Sequence, residues 1–254
     1  MDVEALAERL SGIPGVVAVA LGGSRARGDA RPDSDWDFGL YYRGQIDAEA
    51  VRALGFEGEV VEPGTWGRLV NGGAWLSIEG ERVDLLYRDL DAVEHWLAEA
   101  EAGRFEVDTV PGYLVGMPTY ALVGELAVNR VLYGELPKPE FPAALRESAP
   151  PRWLGNAAFS LVYADGYAAH GEVVACAGSL ARAVVAVAHA RLAQRGEWAL
   201  NDKRIVQRAR LGEAESLLAF VGSGSETLRR SVSRIRTMLH LPRPPGLKLD
   251  EVVR

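Results

Sequence analysis

The sequence predicts an α+β fold: a small β-sheet with flanking helices in the first half, followed by an all-α helical bundle. Three observations predict it. Short β-branched or alternating runs, at 16–21, 35–42, 74–79 and 82–87, are confined to the first ninety residues. From about Asp89 onward the periodicity is helical and alanine-rich. Between about 134 and 152 the chain is punctuated by Pro137, Pro139, Pro142, Pro150 and Pro151, which reads as a linker. These place a first domain over 1–135 and a helical C-terminal domain over 136–254.

Taken in order, residues 2–10 set Val3, Leu6 and Leu10 on one helical face, and Gly12, Pro14 and Gly15 end that helix. Val16–Leu21 is a buried strand running into the turn Gly22-Gly23-Ser24. Residues 35–42, DWDFGLYY, alternate and form a second strand. Residues 74–79 and 82–87 read as a hairpin, with Glu79-Gly80 or Gly80-Glu81 at its turn. Helices are expected over 89–102, about 119–133, 153–170, 172–195, 202–211 and 225–240. The tail LPRPPGLKLDEVVR is expected to drape on the surface.

The 254 residues carry 28 Lys plus Arg against 35 Asp plus Glu, a net charge of −7. That balance argues against a protein whose main task is gripping nucleic-acid backbone, because that task needs a basic face. One cysteine, Cys176, excludes an intrachain disulfide framework and a cysteine-built zinc site; its apolar run VVACAGSL marks it as a buried thiol. The acidic, amphipathic start MDVEALAERL does not read as a secretory signal. No run of about 18 uninterrupted apolar residues is present, the closest being Tyr113–Tyr133. A cytoplasmic protein with no membrane partner is the expectation.

The chemistry concentrates in Val16–Tyr42. At the Gly23-Ser24 turn, glycine lets backbone approach a phosphate closely, free N–H groups favour an anion, and the Ser24 hydroxyl adds a donor. Ala26 and Gly28 are small enough to let the following helix press onto the sheet, and Arg25 and Arg27 add positive charge nearby. Asp35 and Asp37 stand two apart on a strand, so both carboxylates share one face and Trp36 and Phe38 take the other. Like charges so placed repel unless a cation neutralises them, and Mg²⁺ prefers carboxylate plus phosphate oxygens. Asp84, an acid inside the apolar run RVDLLY, is the natural third carboxylate; Glu81 has the opposite parity. Singly, each feature has a plain explanation: an ordinary turn, a solvated pair, an edge-strand charge that deters aggregation. Jointly, Gly-Ser-x-Ala-x-Gly followed by Asp-x-Asp arises by chance on the order of once in a million start positions.

Gly23-Ser24-Arg25-Ala26-Arg27-Gly28 followed by Ser34-Asp35-Trp36-Asp37 resembles the signature of the nucleotidyltransferase superfamily related to DNA polymerase beta. The resemblance is strong over 16–42 and extends to Tyr87. It implies a small mixed sheet with flanking helices and an appended helical domain. It also implies transfer of a nucleoside monophosphate from ATP or another NTP to a hydroxyl, releasing pyrophosphate. Gly23 and Ser24 would hold the triphosphate with Arg27 beside them, and Asp35 and Asp37 would hold two Mg²⁺ ions. Asp84 would be metal ligand, general base, or both. The length and the alanine-rich helical half look most like the two-domain antibiotic nucleotidyltransferases, which modify hydroxyls of aminoglycosides or lincosamides; an acidic protein suits a cationic acceptor. Relatives that modify a protein or tRNA, as in toxin–antitoxin pairs, and inactive nucleotide-binding relatives are the alternatives.

In the helical half, WALNDKR places Asn201 or Asp202 to cap a helix, and Lys203 is the candidate contact to the triphosphate, since some two-domain relatives use such a lysine. His95, His170, His189 and His240 show no metal spacing and read as surface or partly buried positions. Glu125 is a candidate acceptor contact.

Overall fold

The computed structural model describes residues 1–28 and 30–242. The expected tail lies outside the described residues from 243 onward. The elements run in order α1 (Val3–Ser11), β1 (Val16–Leu21), α2 (Gly23–Arg27), β2 (Trp36–Tyr42), α3 (Ala48–Arg52), β3 (Glu57–Val60), α4 (Gly67–Val70), β4 (Gly73–Ile78), β5 (Glu81–Asp89) and α5 (Leu90–Glu101). There follow β6 (Val107–Asp108), β7 (Met117–Pro118), α6 (Tyr120–Val128), β8 (Arg130–Tyr133), α7 (Ala143–His170), α8 (Val173–Gln194), α9 (Ile205–Arg208), α10 (Glu213–Ala219) and α11 (Ser225–Leu239). They form two compact units, one of residues 1–100 and 118–140, the other of 101–117 and 141–254. The division therefore falls at 140/141, and 101–117 join the helical unit.

In the first unit, among the described residues, six strands make one mixed sheet in the order β3-β4-β5-β2-β1-β8. β2 and β5 are parallel, and the other neighbours are antiparallel. The alternation read in the sequence sorts the two faces. Phe38, Leu40, Val83, Leu85, Tyr87, Leu76 and Ile78 point to one face and are buried against Val3, Leu6 and Leu10 of α1 and Val51 of α3. Phe38 is 0% exposed; truncating such a side chain to alanine costs about 3–5 kcal/mol. The residues of opposite parity form the second face, which carries the polar chemistry. The hairpin turn is Glu79-Gly80, with φ of 53° and 79°, the paired positive values of a turn whose twist matches the flanking strands.

Several elements differ from expectation: α3, α4, α10, β6 and β7 were not expected, and the helix expected over 202–211 is only Ile205–Arg208. The helix expected over 119–133 ends at Val128. Asn129 turns extended (ψ 163°), and Arg130–Tyr133 becomes β8, paired with β1 at the sheet edge. β3, EGEV, was not expected: it is almost wholly exposed, and its strand character comes from pairing with β4. Pro150 and Pro151 lie inside α7, which begins at Ala143, although each proline removes an intrahelical donor.

In the second unit, α7, α8 and α11 pack around Trp153, Leu161, Leu180 and Ile235. α8 is long and apolar enough to cross a membrane by length and composition; most of its apolar residues from Cys176 to Leu192 are buried within this unit. Cys176 is a buried free thiol, as expected. His189 is fully buried, stacked 4.5 Å from the Trp153 ring, rather than at a surface or partly buried position.

Candidate active site

Strand register builds the site on the second face of the sheet. Asp37 and Asp84 are direct partners on the parallel strands β2 and β5, so their side chains stand side by side, about 4.8 Å apart by strand spacing. Across β4 and β3 the same row continues through Trp75, partner of Asp84, to Glu59, partner of Trp75. In the other direction it ends at Gly22, whose N–H donates to the Asp37 carbonyl at 2.7 Å. A second row, two residues along, holds Glu57, Ser77 and Arg82, with Asp35 at its end. These two rows bring together all three carboxylates expected from the sequence. A cleft of about 520 Å³ opens on them, lined by Asp35, Asp84, Trp75, Ser77, Arg82 and Glu57.

The Gly-Gly-Ser turn closes onto Asp37. Gly23 has φ 60°, and a Cβ there would lie 1.7 Å from Asp37 Oδ2. Only glycine allows this carboxylate to nest against the turn. Ser24 follows on α2, half-buried, and Arg27 is exposed in the last turn of that helix.

Two arginines that the sequence did not assign to the site shape it. Arg25 turns inward rather than toward a ligand: Nη2 donates to the Ser34 carbonyl at 2.6 Å, Nε reaches the Asp35 carbonyl at 3.2 Å, and the guanidinium lies 3.9 Å over the Trp36 ring. It therefore fixes the segment that presents Asp35. Arg82 Nε stands 2.6 Å from Asp35 Oδ1, an ion pair, while Nη2 donates to the Asp33 carbonyl at 2.7 Å. Its signal was available in the sequence, because residue 82 shares the parity of Asp84. Glu81, of opposite parity, faces away toward Trp36 Nε1 at 3.4 Å.

Further along this face the site is closed. Arg88, buried, is clamped by Glu125 through bonds of 2.6 and 2.9 Å. Beside it, burial and the Glu125 charge push the Tyr41 phenol far above its ordinary pKa, and Asn129 donates to its oxygen at 3.4 Å. Glu125 is thus the partner of a buried cation. Lys203 stands in the second unit, exposed, in a turn where its N–H donates to Asn201 Oδ1 at 3.0 Å. Asp202 takes the Leu114 N–H instead of capping a helix.

Residues 3–91, about a third of the chain, match the family model described as a nucleotidyltransferase domain. The chain carries a nucleotidyltransferase domain. The match assigns the nucleotidyl-transferring type to the domain over 3–91. The match ends within two residues of β5, so it spans the turn, Asp35, Asp37 and Asp84. No curated protein sequence matches the chain. Among solved structures, a nucleotidyltransferase-like protein from Exiguobacterium sibiricum is 10% identical over 93% of this chain and 72% of its own, with a TM-score of 0.46. An aminoglycoside 6-adenyltransferase from Bacillus subtilis is 11% identical over 99% of this chain and 95% of its own, with a TM-score of 0.28.

Proposed function

We propose that the nucleotidyltransferase domain moves AMP from ATP onto a hydroxyl of a small cationic acceptor of the aminoglycoside type, with Mg²⁺. The observation that carries this reading is the register of Asp37 with Asp84, together with the nesting of Asp37 against the Gly23 turn. The donor set suits a hard cation. Two carboxylates stand side by side with a third two residues away; among the described residues no three His, Cys, Asp or Glu side chains are placed to hold a metal by themselves, so phosphate oxygens would have to supply part of the shell. Mg²⁺ is characteristically held by one or two carboxylates, with phosphate and water completing its shell. Asp35, Asp37 and Asp84 would hold it; when bound, it stabilises charge on the attacking and leaving oxygens.

The remaining roles belong to the chain. The N–H groups and the Ser24 hydroxyl at the turn bind phosphate oxygens, with Arg27 adding charge. Asp84 accepts the proton of the acceptor hydroxyl as its oxygen bonds to the α-phosphorus and pyrophosphate departs. The test is pyrophosphate release from ATP, GTP or CTP with Mg²⁺ and a panel of aminoglycosides and lincosamides. Release with at least one acceptor, lost in Asp37→Asn and Asp84→Asn while both variants stay folded, supports the reading. No release with any pair, or full turnover in Asp37→Asn, refutes it.

A further inference from the structure

The row across the sheet has a direction. From the β1 end it reads Gly22, Asp37, Asp84, Trp75, Glu59. The phosphate turn occupies one end, and Asp84 stands at the middle. With a nucleotide held at the turn, the other end of the row, over β4 and β3, is where the cleft beside Asp84 continues. Resting on the reading above, we propose that this end is the acceptor subsite, that Trp75 is its platform, and that it takes a ring compound bearing both ammonium and hydroxyl groups.

Trp75 is unusual for a tryptophan in mid-sheet: it is 49% exposed. It is nevertheless held in place. Gly73, two residues earlier on the same strand, lets the Leu85 backbone and the Trp66 ring come close: a Cβ there would lie 1.8 Å from the Leu85 carbonyl oxygen and 3.0 Å from Trp66 Cζ3. The Trp66 and Trp75 rings pack with centroids 4.6 Å apart at 35°. A rigid ring presenting half its surface to the cleft that contains Asp84 is a binding platform whose ordering cost is already met in the free protein.

The charge around the ring selects the occupant. Glu57, Glu59, Asp35, Asp37 and Asp84 share the two rows with one cation, Arg82. Arg82 is turned toward Asp35 and Asp33, away from the β3 edge. Glu57 and Glu59 are exposed on that edge. The face of an indole is itself electron-rich, so ring and carboxylates together attract an ammonium group and repel a phosphate. Ser77, exposed beside Trp75, can hydrogen-bond a hydroxyl. A neutral acceptor gains only the ring contact and the Ser77 hydrogen bond, without the charge attraction, and an anionic one is repelled. The residues that choose the acceptor are therefore Trp75, one strand removed from the residue that takes its proton, and Glu59 and Glu57, two strands removed.

The test is calorimetric titration of the full chain with 2-deoxystreptamine, an uncharged cyclitol (myo-inositol) and Mg-ATP. The wild type is expected to bind the diaminocyclitol and not myo-inositol. Trp75→Ala should weaken the diaminocyclitol about 3- to 30-fold, the span of a desolvated cation–π contact. Trp75→Phe should restore most of that loss, Glu59→Gln should weaken binding further in low salt, and Mg-ATP affinity should be unchanged in all three. Equal binding of both cyclitols, no binding of either, unchanged affinity in Trp75→Ala, or loss of Mg-ATP rather than diaminocyclitol affinity overturns the proposal; the last would make the ring a nucleobase platform. Pyrophosphate release on the same preparations separates the two readings. Its absence with selective binding intact removes nucleotidyl transfer alone, and transfer with unaltered acceptor KM in Trp75→Ala removes the subsite alone.

Discussion

Substituting Gly23 by alanine separates what the turn does for the fold from what it does for the site. A φ of 60° costs an L-residue about 1–2 kcal/mol, and Gly28, with φ 75°, would suffer the same backbone penalty. The two positions differ in their surroundings. A Cβ at Gly28 meets nothing within 4 Å, whereas at Gly23 it would lie 1.7 Å from Asp37 Oδ2. Ordinary carbon–oxygen contact is about 3.3 Å, so the carboxylate must retreat by roughly 1.5 Å. A displacement of about 1 Å at a reacting centre costs on the order of 100-fold in rate. Gly28→Ala should therefore lose about 1–2 kcal/mol in urea unfolding and Gly23→Ala at least that much, while only Gly23→Ala should lose pyrophosphate-release activity by on the order of 100-fold or more. Wild-type turnover in Gly23→Ala, or an equal loss in Gly28→Ala, would show that the turn and Asp37 do not act together.

Glu125→Gln should destabilise the protein by about 2–3 kcal/mol, at or below the low end for breaking a buried pair, because Arg88 is 4% exposed but Glu125 is 26% exposed and water relieves part of the cost. Arg88→Met combined with Glu125→Leu should recover most of that loss in thermal melting; a double variant as unstable as the sum of its single changes would contradict it. Stability should also fall in alkali. Burial pushes the Tyr87 phenol up to about 12 and the Cys176 thiol up to about 11. Both groups hold their protons more tightly in the folded state, so their contribution is complete below the unfolded pKa values and disappears as pH climbs through the folded ones. For Cys176 the decline starts near pH 8.5. Melting temperatures that stay level from pH 8 to 11.5 would speak against these burials.

How much was legible in the sequence follows from what each element depends on. β1, β2 and the β4–β5 hairpin were readable because half their residues face a core, and alternation records that. β3 was not, because Glu57 to Glu59 are exposed and their strand geometry is borrowed from β4. β8 was hidden because RVLY follows an apolar helix without a glycine or proline, and the break rests on the extended backbone of Asn129. The α7 start was misplaced because prolines normally end helices, whereas here Pro150 is itself buried within the unit. Asp35 and Asp37 were paired by parity, and Asp84 stood out as an acid inside an apolar run. Arg82 and Trp75 share that parity, but reading them into the site required knowing that β5 lies between β2 and β4. Strand order is set by long-range packing rather than by local pattern.

The strands that build the core also build the site, and the period of two makes this possible. On β2, Trp36, Phe38, Leu40 and Tyr42 anchor the sheet while Asp35 and Asp37 are carried on the reverse, so the carboxylates inherit the rigidity of the hydrophobic layer. The burden of that arrangement is electrostatic. Asp37 and Asp84, one strand apart, repel each other, and Asp35 adds to the field. The chain meets this in two ways that leave the site open. Arg82 offsets Asp35 from the rim, and the backbone of the Gly22-Gly23 turn wraps Asp37. At the far end of the same face, by contrast, Arg88 is clamped by Glu125 and buried. One end of the face is closed over a buried ion pair; the other concentrates carboxylates beside a cleft. On the proposed function, that difference, rather than the net charge of −7 as a whole, is what would draw a cation and its phosphate ligand to the first two rows.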